Sequence, residues 1–306
     1  MKVLAATHVA TDFRLRSGVR LPELRIAYVT HGVLSAGGDN AILVTHGITS
    51  SHHAAPPHAG DAEGGWWSNV VGPGKAIDTD RYFVVSSNVL GSCFGSTGPA
   101  SLHPATGTPY GPDFPALCIG DIVDAQKALL DALGIRQLVA VAGPSFGGYQ
   151  AFEWGVSYPE AMRGLVVTES APEVTDGAAR LDALLARFCS DPGWHGGRYY
   201  GKAGVAGTLR ALRLEALEAY GWREKLGRAL GPLERQNELE RMAGEWSLRF
   251  DANSLVALRR AAAGFTVLPR LPQLRARVLL VLSTTDTLFP ASRAPAVLRV
   301  LEGAGV

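Results

Sequence analysis

The chain has 306 residues, 47% of them hydrophobic, with 29 Lys and Arg against 28 Asp and Glu and a formal net charge of +1. That length can bury one large core, or a core with an inserted subdomain. Near-neutral charge leaves no electrostatic case for nucleic acid or an anionic membrane surface as a partner. The three cysteines, Cys93, Cys118 and Cys189, have no paired spacing, which argues against a disulfide framework and fits a reducing compartment. Cys93 reads as a small packed residue in a Gly/Ser-rich turn, with nothing nearby to lower its pKa. No apolar run reaches the length of a membrane span, and Thr7 and His8 break the N-terminal apolar run, making it a poor signal peptide. A cytoplasmic enzyme is the expectation.

In chain order, residues 9–29 read as a hairpin-like antiparallel edge. Strands are predicted at Glu23–Val29, Ala41–Thr45, Tyr82–Ser86, Leu138–Ala142 and Gly164–Thr168. A helix is predicted over Asp121–Leu133, where Ile122, Ala125, Leu129, Leu130 and Leu133 recur at helical spacing and Gly134 ends the run. A second helix runs from Gly147 to Ser157 and stops before Pro159. The continuous apolar runs "AILVT" and "LVAVA" suit central parallel strands covered on both faces. Alternating strands and helices of this kind imply an α/β doubly wound sheet. From Val174 to Thr266 strand signals vanish and helices are predicted at Ala178–Ser190, Val205–Tyr220, Leu233–Phe250 and Asn253–Ala263. Residues 174–266 are therefore expected to form a helical lid inserted into a core of 1–173 and 267–306. The core resumes with a strand at Ala276–Thr284 and a helix from Ala291 towards Glu302.

The run Gly143-Pro144-Ser145-Phe146-Gly147 fits G-x-S-x-G, with a buried strand directly before it and a helix directly after. That setting is the one a nucleophile elbow requires. A serine in so strained a turn leaves no room for side chains at its flanks, so Gly143 and Gly147 are needed. The turn would lift the Ser145 hydroxyl clear of the sheet and aim the Phe146 N–H at a developing oxyanion, at the positive end of the next helix. A second donor is expected from the turn after strand Ala41–Thr45, His46-Gly47-Ile48-Thr49, with Ile48 as the N–H in question. His46 is expected to pack and hydrogen-bond beneath this hole rather than act as a base. His52, His53 and His58 lie in the loop "SSHHAAPPH", which lacks Cys, Asp or Glu at ligand spacing. They read as solvated loop histidines, and no metal site is expected. Asp286, just past the strand of "VLLVLSTTDTLFP", stands where an acid could orient an imidazole.

The runs "GPGKAIDTDRYFV", "SSNVLGSCFGSTGPASLHPATGTPYGPDFP", "FGGYQAFEWGVSYPE", "DPGWHGGRYY", "RFDANSLVALRRA" and "STTDTLFP" together resemble the homoserine O-acetyltransferase family of α/β-hydrolase-fold enzymes. The similarity covers most of residues 10–306. It implies a mostly parallel α/β-hydrolase sheet with the helical insertion as roof of a substrate tunnel. It further implies transfer of an acetyl group from acetyl-CoA, as co-substrate, through an acyl-Ser145 intermediate to a small hydroxylated acceptor. Ser145 would be nucleophile, Asp286 the acid, and Ile48 and Phe146 the oxyanion donors. No permanently bound cofactor is implied, and family helical insertions often pair two subunits, so a homodimer is an expectation.

Three departures stand out. The family tends to carry an Arg six residues before the Asp of "DP", where it can hold a carboxylate, and here that position is Leu185. Arg187 lies about 200° around the helix from it. The insertion differs between Tyr220 and Glu245. None of the eight histidines follows Asp286, so the order Ser, Asp, His is not completed and the fold's final strand and helix are not in the sequence; truncation is the expectation. His46, His103 or His195 could in principle substitute, but none stands at a location the fold would normally use. Two other functions stay open: a carboxylesterase acting on small acyl esters, and a catalytically inactive binding protein on the same fold.

Overall fold

The computed structural model describes residues 2–56 and 64–306. Strand β1 (Val3–Arg14) and strand β2 (Arg20–His31) form a long antiparallel hairpin, extending beyond the predicted residues 9–29 at both ends. Strand β3 is Ala41–Val44, and a short parallel pair, β4 (Val71–Gly72) and β5 (Ile77–Asp78), follows outside the main sheet. The main sheet continues with β6 (Phe83–Ser87), β7 (Leu138–Pro144), β8 (Met162–Thr168) and β9 (Arg277–Val281). Its order is β1-β2-β6-β3-β7-β8-β9. The hairpin joins antiparallel through β2 and β6, and every pair from β6 to β9 is parallel. All four residues of β3 are buried, because helices and loops cover both faces of the central strands. This is why "AILV" shows no alternation.

Helices α1 (Ile119–Ala132) and α2 (Phe146–Ser157) pack together beside the sheet. Between β8 and β9 the chain is helical: α3 (Gly177–Cys189), α4 (Ala206–Ala219), α5 (Trp222–Leu226), α6 (Pro232–Arg249) and α7 (Ala252–Ala263). The one-turn α5 gives no periodicity to read, lying between Gly221 and Gly227. The last helix, α8, is Ala294–Gly303.

Two buried polar assemblies fasten these layers. Glu153 on α2 accepts from Arg16 at the tip of the β1–β2 turn (2.6 Å) and from Arg270 (2.6 Å). Burial alone would raise its pKa, but the hydrogen bonds of Arg270, Ser157 and Arg16 hold the carboxyl below its ordinary value. Arg16 also pairs with Asp124 of α1 (2.7 Å). Gly120 admits the guanidinium, since a Cβ there would lie 2.1 Å from Arg16 Nη1. The second assembly joins two of the sequence runs noted above. Asp251 caps α7 by accepting the Ser254 N–H (2.8 Å) and also accepts the hydroxyls of Tyr199 and Tyr200. Asn253 donates to the Gly197 carbonyl (2.8 Å). "RFDANS" and "GWHGGRYY" are thus halves of one bonded unit.

Among the described residues no helix is long and apolar enough to cross a membrane.

Candidate active site

Ser145 joins β7 to α2 with φ 52° and ψ −117°, a left-handed backbone that non-glycine residues rarely adopt. Bonds from distant elements hold it there. Its N–H donates to Thr168 at the end of β8 (3.0 Å), and its carbonyl accepts the Ser170 hydroxyl (2.8 Å). The flanking glycines lie against Thr45, which follows β3. A Cβ on Gly143 would sit 2.1 Å from Thr45 Oγ1, and one on Gly147 would sit 2.4 Å from the Thr45 carbonyl oxygen. Thr45 itself bonds across the elbow, its N–H to Ala142 (2.9 Å) and its hydroxyl to the Gly147 carbonyl (2.9 Å). Glycine at 143 and 147 therefore lets the turn after β3 press directly on the elbow.

The backbone N–H groups of Phe146 and Ile48 have no acceptor among the described residues. Phe146 is also the first residue of α2, and no side chain caps that end. Two open amides, one of them at a helix N-terminus, can stabilise an oxyanion on a carbonyl attacked by the Ser145 hydroxyl.

Gln150, fully buried on α2, ties the two turns together. Its Nε2 donates to the carbonyls of His46 (3.2 Å) and Phe146 (3.1 Å). Its Oε1 accepts from Gln126 of α1 (2.7 Å), whose own Oε1 accepts the Trp154 indole N–H (2.8 Å). The sequence gives no warning of this chain of bonds, whose partners lie up to 104 residues apart. His46 is fully buried, with Nδ1 bonded to the Gly47 carbonyl (2.8 Å) and Nε2 accepting the Val89 N–H (3.2 Å). Burial pushes its pKa down to about 4. Both ring nitrogens are engaged, so His46 braces the turn and takes no proton from Ser145.

Asp286 lies beyond β9, where its Oδ1 accepts the N–H groups of Leu288 (2.6 Å) and Phe289 (3.0 Å). Phe289 is buried and meets Tyr149 of α2 with ring centroids 6.3 Å apart, and Tyr149 rests in turn on Phe265 at 4.9 Å. This aromatic contact links the acid loop to the nucleophile's helix. A second carboxylate, unremarked in the sequence, shares the site. Glu169 directly follows β8 with φ 49°, and its N–H donates to the Val281 carbonyl (2.8 Å). Burial first, and then the Asp286 charge, raise its pKa. A carboxylate at a strand's carboxyl end beside a nucleophile elbow was the available signal.

No histidine among the described residues bonds to Ser145 or to Asp286. His103 bonds locally to the Ala105 N–H (3.1 Å), and His195 is exposed in a short turn. The loop histidines are not solvated as expected. His52 and His53 are half-buried with their rings tilted against each other, centroids 4.1 Å apart, and burial pushes His52 down to about 3. His58 lies outside the described residues. Among the described residues no three His, Cys, Asp or Glu side chains are grouped to hold a metal. Burial pushes the Cys93 thiol up to about 12. Leu185 is half-buried and packs on the core, and Arg187 pairs with Glu215 (2.6 Å).

A model of the α/β-hydrolase fold matches residues 40–300, and with the parallel sheet it defines the class: an α/β-hydrolase-fold enzyme. A homoserine O-acetyltransferase from Methanosphaerula palustris is 40% identical over 304 residues, covering 92% of this chain and 62% of its own. One from Moorella thermoacetica is 43% identical over 263 residues, covering 81% of this chain and 70% of its own. The crystal structure of esterase E22 superposes with a TM-score of 0.88 at 29% identity, covering 99% of this chain and 91% of that one. The chain belongs to the homoserine O-acetyltransferase family, and it spans 62% of the length of the Methanosphaerula relative.

Proposed function

We propose that the chain is an O-acyltransferase. Ser145 Oγ attacks the thioester carbonyl of acetyl-CoA, the C–S bond breaks, and the CoA thiolate leaves with the acetyl group on Ser145. The hydroxyl of a small homoserine-like acceptor then attacks the acyl-serine, receives the acetyl group and returns Ser145 to its free form. Phe146 and Ile48 stabilise the oxyanion of both steps; the Ser145 proton must pass to a general base, which no histidine of the described residues supplies, and Asp286 is the acid that would orient an imidazole acting as that base. The observation that carries this reading is the strained Ser145 elbow with two open amides, in a chain of this family.

A second reading, hydrolysis of small acyl esters, is favoured by one residue. Leu185 cannot grip a carboxylate as the family's Arg can, and Arg187 is committed to Glu215. Incubation with acetyl-CoA, with and without homoserine, beside p-nitrophenyl acetate separates the two. CoA release that requires homoserine supports transfer. Ester cleavage with no CoA release replaces it with hydrolysis. Neither activity, in a folded protein, leaves a binding role.

A further inference from the structure

A cavity of about 350 Å³ lies between β2 and the loop that runs from Ser92 to Tyr110. Neither Ser145 nor Asp286 is in its wall. The loop is fastened along β2. The Thr97 N–H donates to the Arg25 carbonyl (2.8 Å), the Arg25 N–H to Thr97 Oγ1 (2.8 Å) and the Ala27 N–H to Ser96 Oγ (3.1 Å). Gly98 lets the loop turn this tightly, since a Cβ there would lie 2.4 Å from the Ser92 carbonyl oxygen. The same loop supports the site described above. Ser96 Oγ donates to the Asn88 carbonyl (2.8 Å), and the next residue, Val89, donates its N–H to His46 (3.2 Å).

Among the described residues, Glu23 and Arg25 are the only charged groups in the wall. Two apart on one strand, they project from the same face of β2. They meet each other at 3.5 Å, and no hydrogen bond to another described residue occupies either side chain. A half-exposed pair of this kind holds itself weakly, so both groups are free for a ligand. Tyr110 adds a third polar group. The residue is 9% exposed, and its buried hydroxyl has no partner. Its ring meets His103 and Phe114 edge-on, with centroids 4.8 and 5.4 Å away, and these contacts fix its direction. Burial first, and then the Glu23 charge, raise its pKa, so at neutral pH it can donate a proton. The buried Ser92 hydroxyl, also in the wall, has only the weakly accepting Cys93 sulfur near it. A buried hydroxyl without a good acceptor is a standing cost that a ligand oxygen removes. Ala100, Leu102 and Pro104 complete an apolar side, and Leu102 is 62% exposed.

We propose that this cavity binds a free α-amino acid with a short aliphatic side chain, its ammonium on Glu23 and its carboxylate on Arg25 and the Tyr110 hydroxyl. The inference goes beyond the acyl-transfer reading and does not rest on it, because the ligand held here is not a reactant. One cation and one anion on the same strand face select a zwitterion. A simple anion would meet Glu23, and a simple amine would meet Arg25. The apolar side suits an aliphatic chain laid against Leu102. The volume stands near the low end for small-molecule sites, about 300–1,000 Å³, which favours a ligand of amino-acid size over a nucleotide.

The test is calorimetric titration of L-leucine onto the 306-residue chain, beside N-acetyl-L-leucine, which lacks the ammonium, and 3-methylbutylamine, which lacks the carboxylate. L-Leucine binds, and each of the other two binds at least tenfold more weakly. The dissociation constant for L-leucine rises at least tenfold in Arg25→Gln and in Glu23→Gln, and several-fold in Tyr110→Phe. Arg25 is exposed, so its variant keeps the test open if Tyr110→Phe fails to fold by circular dichroism. Bound L-leucine also slows amide hydrogen exchange in residues 88–98 of the native chain. Absence of L-leucine binding overturns the proposal. So does equal affinity for the N-acetyl compound or the amine, or equal affinity in folded variants. Unchanged exchange in residues 88–98 places the ligand elsewhere and overturns it too. None of these readouts needs turnover, so a chain that transfers nothing leaves the site standing.

Discussion

The two halves of the candidate site are built in different ways. The nucleophile half is held by contacts from far along the chain: Thr45 against both elbow glycines, Thr168 and Ser170 on the Ser145 backbone, and Gln150 bridging two turns. The acid half is mostly local. Asp286 bonds to amides two and three residues on, and Ser283 bonds to Thr285 (2.9 Å). It stands on β9, whose outer edge pairs with no strand among the described residues and leaves Leu279 57% exposed. The difference teaches that the backbone geometry around Ser145 is fixed in advance. The acid's position depends on one short loop and the Phe289–Tyr149 contact.

The largest effect tests what the nucleophile half lacks. With no imidazole on Ser145 among the described residues, cleavage of p-nitrophenyl acetate by this chain is slow. Added imidazole raises the Ser145-dependent part, obtained by subtracting the Ser145→Ala rate, by on the order of 10²-fold. A fast native rate that imidazole does not change would break the contrast between the proposed oxyanion hole and a serine with no imidazole beside it.

Next comes crowding at the elbow. Gly143→Ala puts a Cβ against Thr45 and destabilises the protein by about 3 kcal/mol or more in urea denaturation. An unaltered midpoint would mean that Thr45 is free to withdraw.

Acid should act on the two halves with opposite signs. His46 is held neutral by burial, with its pKa near 4 against 6.5 in the unfolded chain. The unfolded chain therefore takes up the proton first. Stability is full above pH 6.5 and falls by up to about 3 kcal/mol as the pH drops towards 4. Glu169 runs the other way: its raised pKa gives stability that is lost as pH rises through the folded value. Denaturation midpoints across this range, with and without Glu169→Gln, separate the two. A profile that is flat between pH 6.5 and 4 would show His46 to be hydrated.

Gln150→Leu leaves the Gln126 amide and two carbonyls short of a partner and costs about 2 kcal/mol. It also lowers kcat more than it raises KM, because the oxyanion turns lose their common brace. A Gln150→Leu variant whose kcat follows only the folded fraction would reduce Gln150 to a packing residue. The smallest effect belongs to the acid half: Thr287→Ala, exposed beside Asp286, changes stability by less than about 0.5 kcal/mol.

The same contrast explains what the sequence could disclose. The elbow was legible because a strained serine demands glycine on both sides, and the strand before it and the helix after it carry their own patterns. The central parallel strands followed from short buried runs such as "AILV". The brace of Gln150, the pairing of Asp251 with Tyr199 and Tyr200, and the cavity beside β2 were not legible, since each depends on residues that only the tertiary fold brings together. Strands β4 and β5, with two residues each, and the single turn of α5 are too short to establish a period. The burial of His52 and His53 was missed because a polar, proline-rich loop reads as solvated until a neighbouring layer covers it.

The cluster of Arg16, Glu153 and Arg270 has a consequence in time. Its partners are 137 and 117 residues apart, so closing it requires ordering most of the chain. The β1–β2 hairpin can form from local contacts long before α2 and the 268–273 turn are there to receive Arg16. The ion cluster then forms on the native side of the folding barrier and acts chiefly as a latch. Removing Arg16 shortens the lifetime of the folded state and leaves the speed of reaching it nearly unchanged.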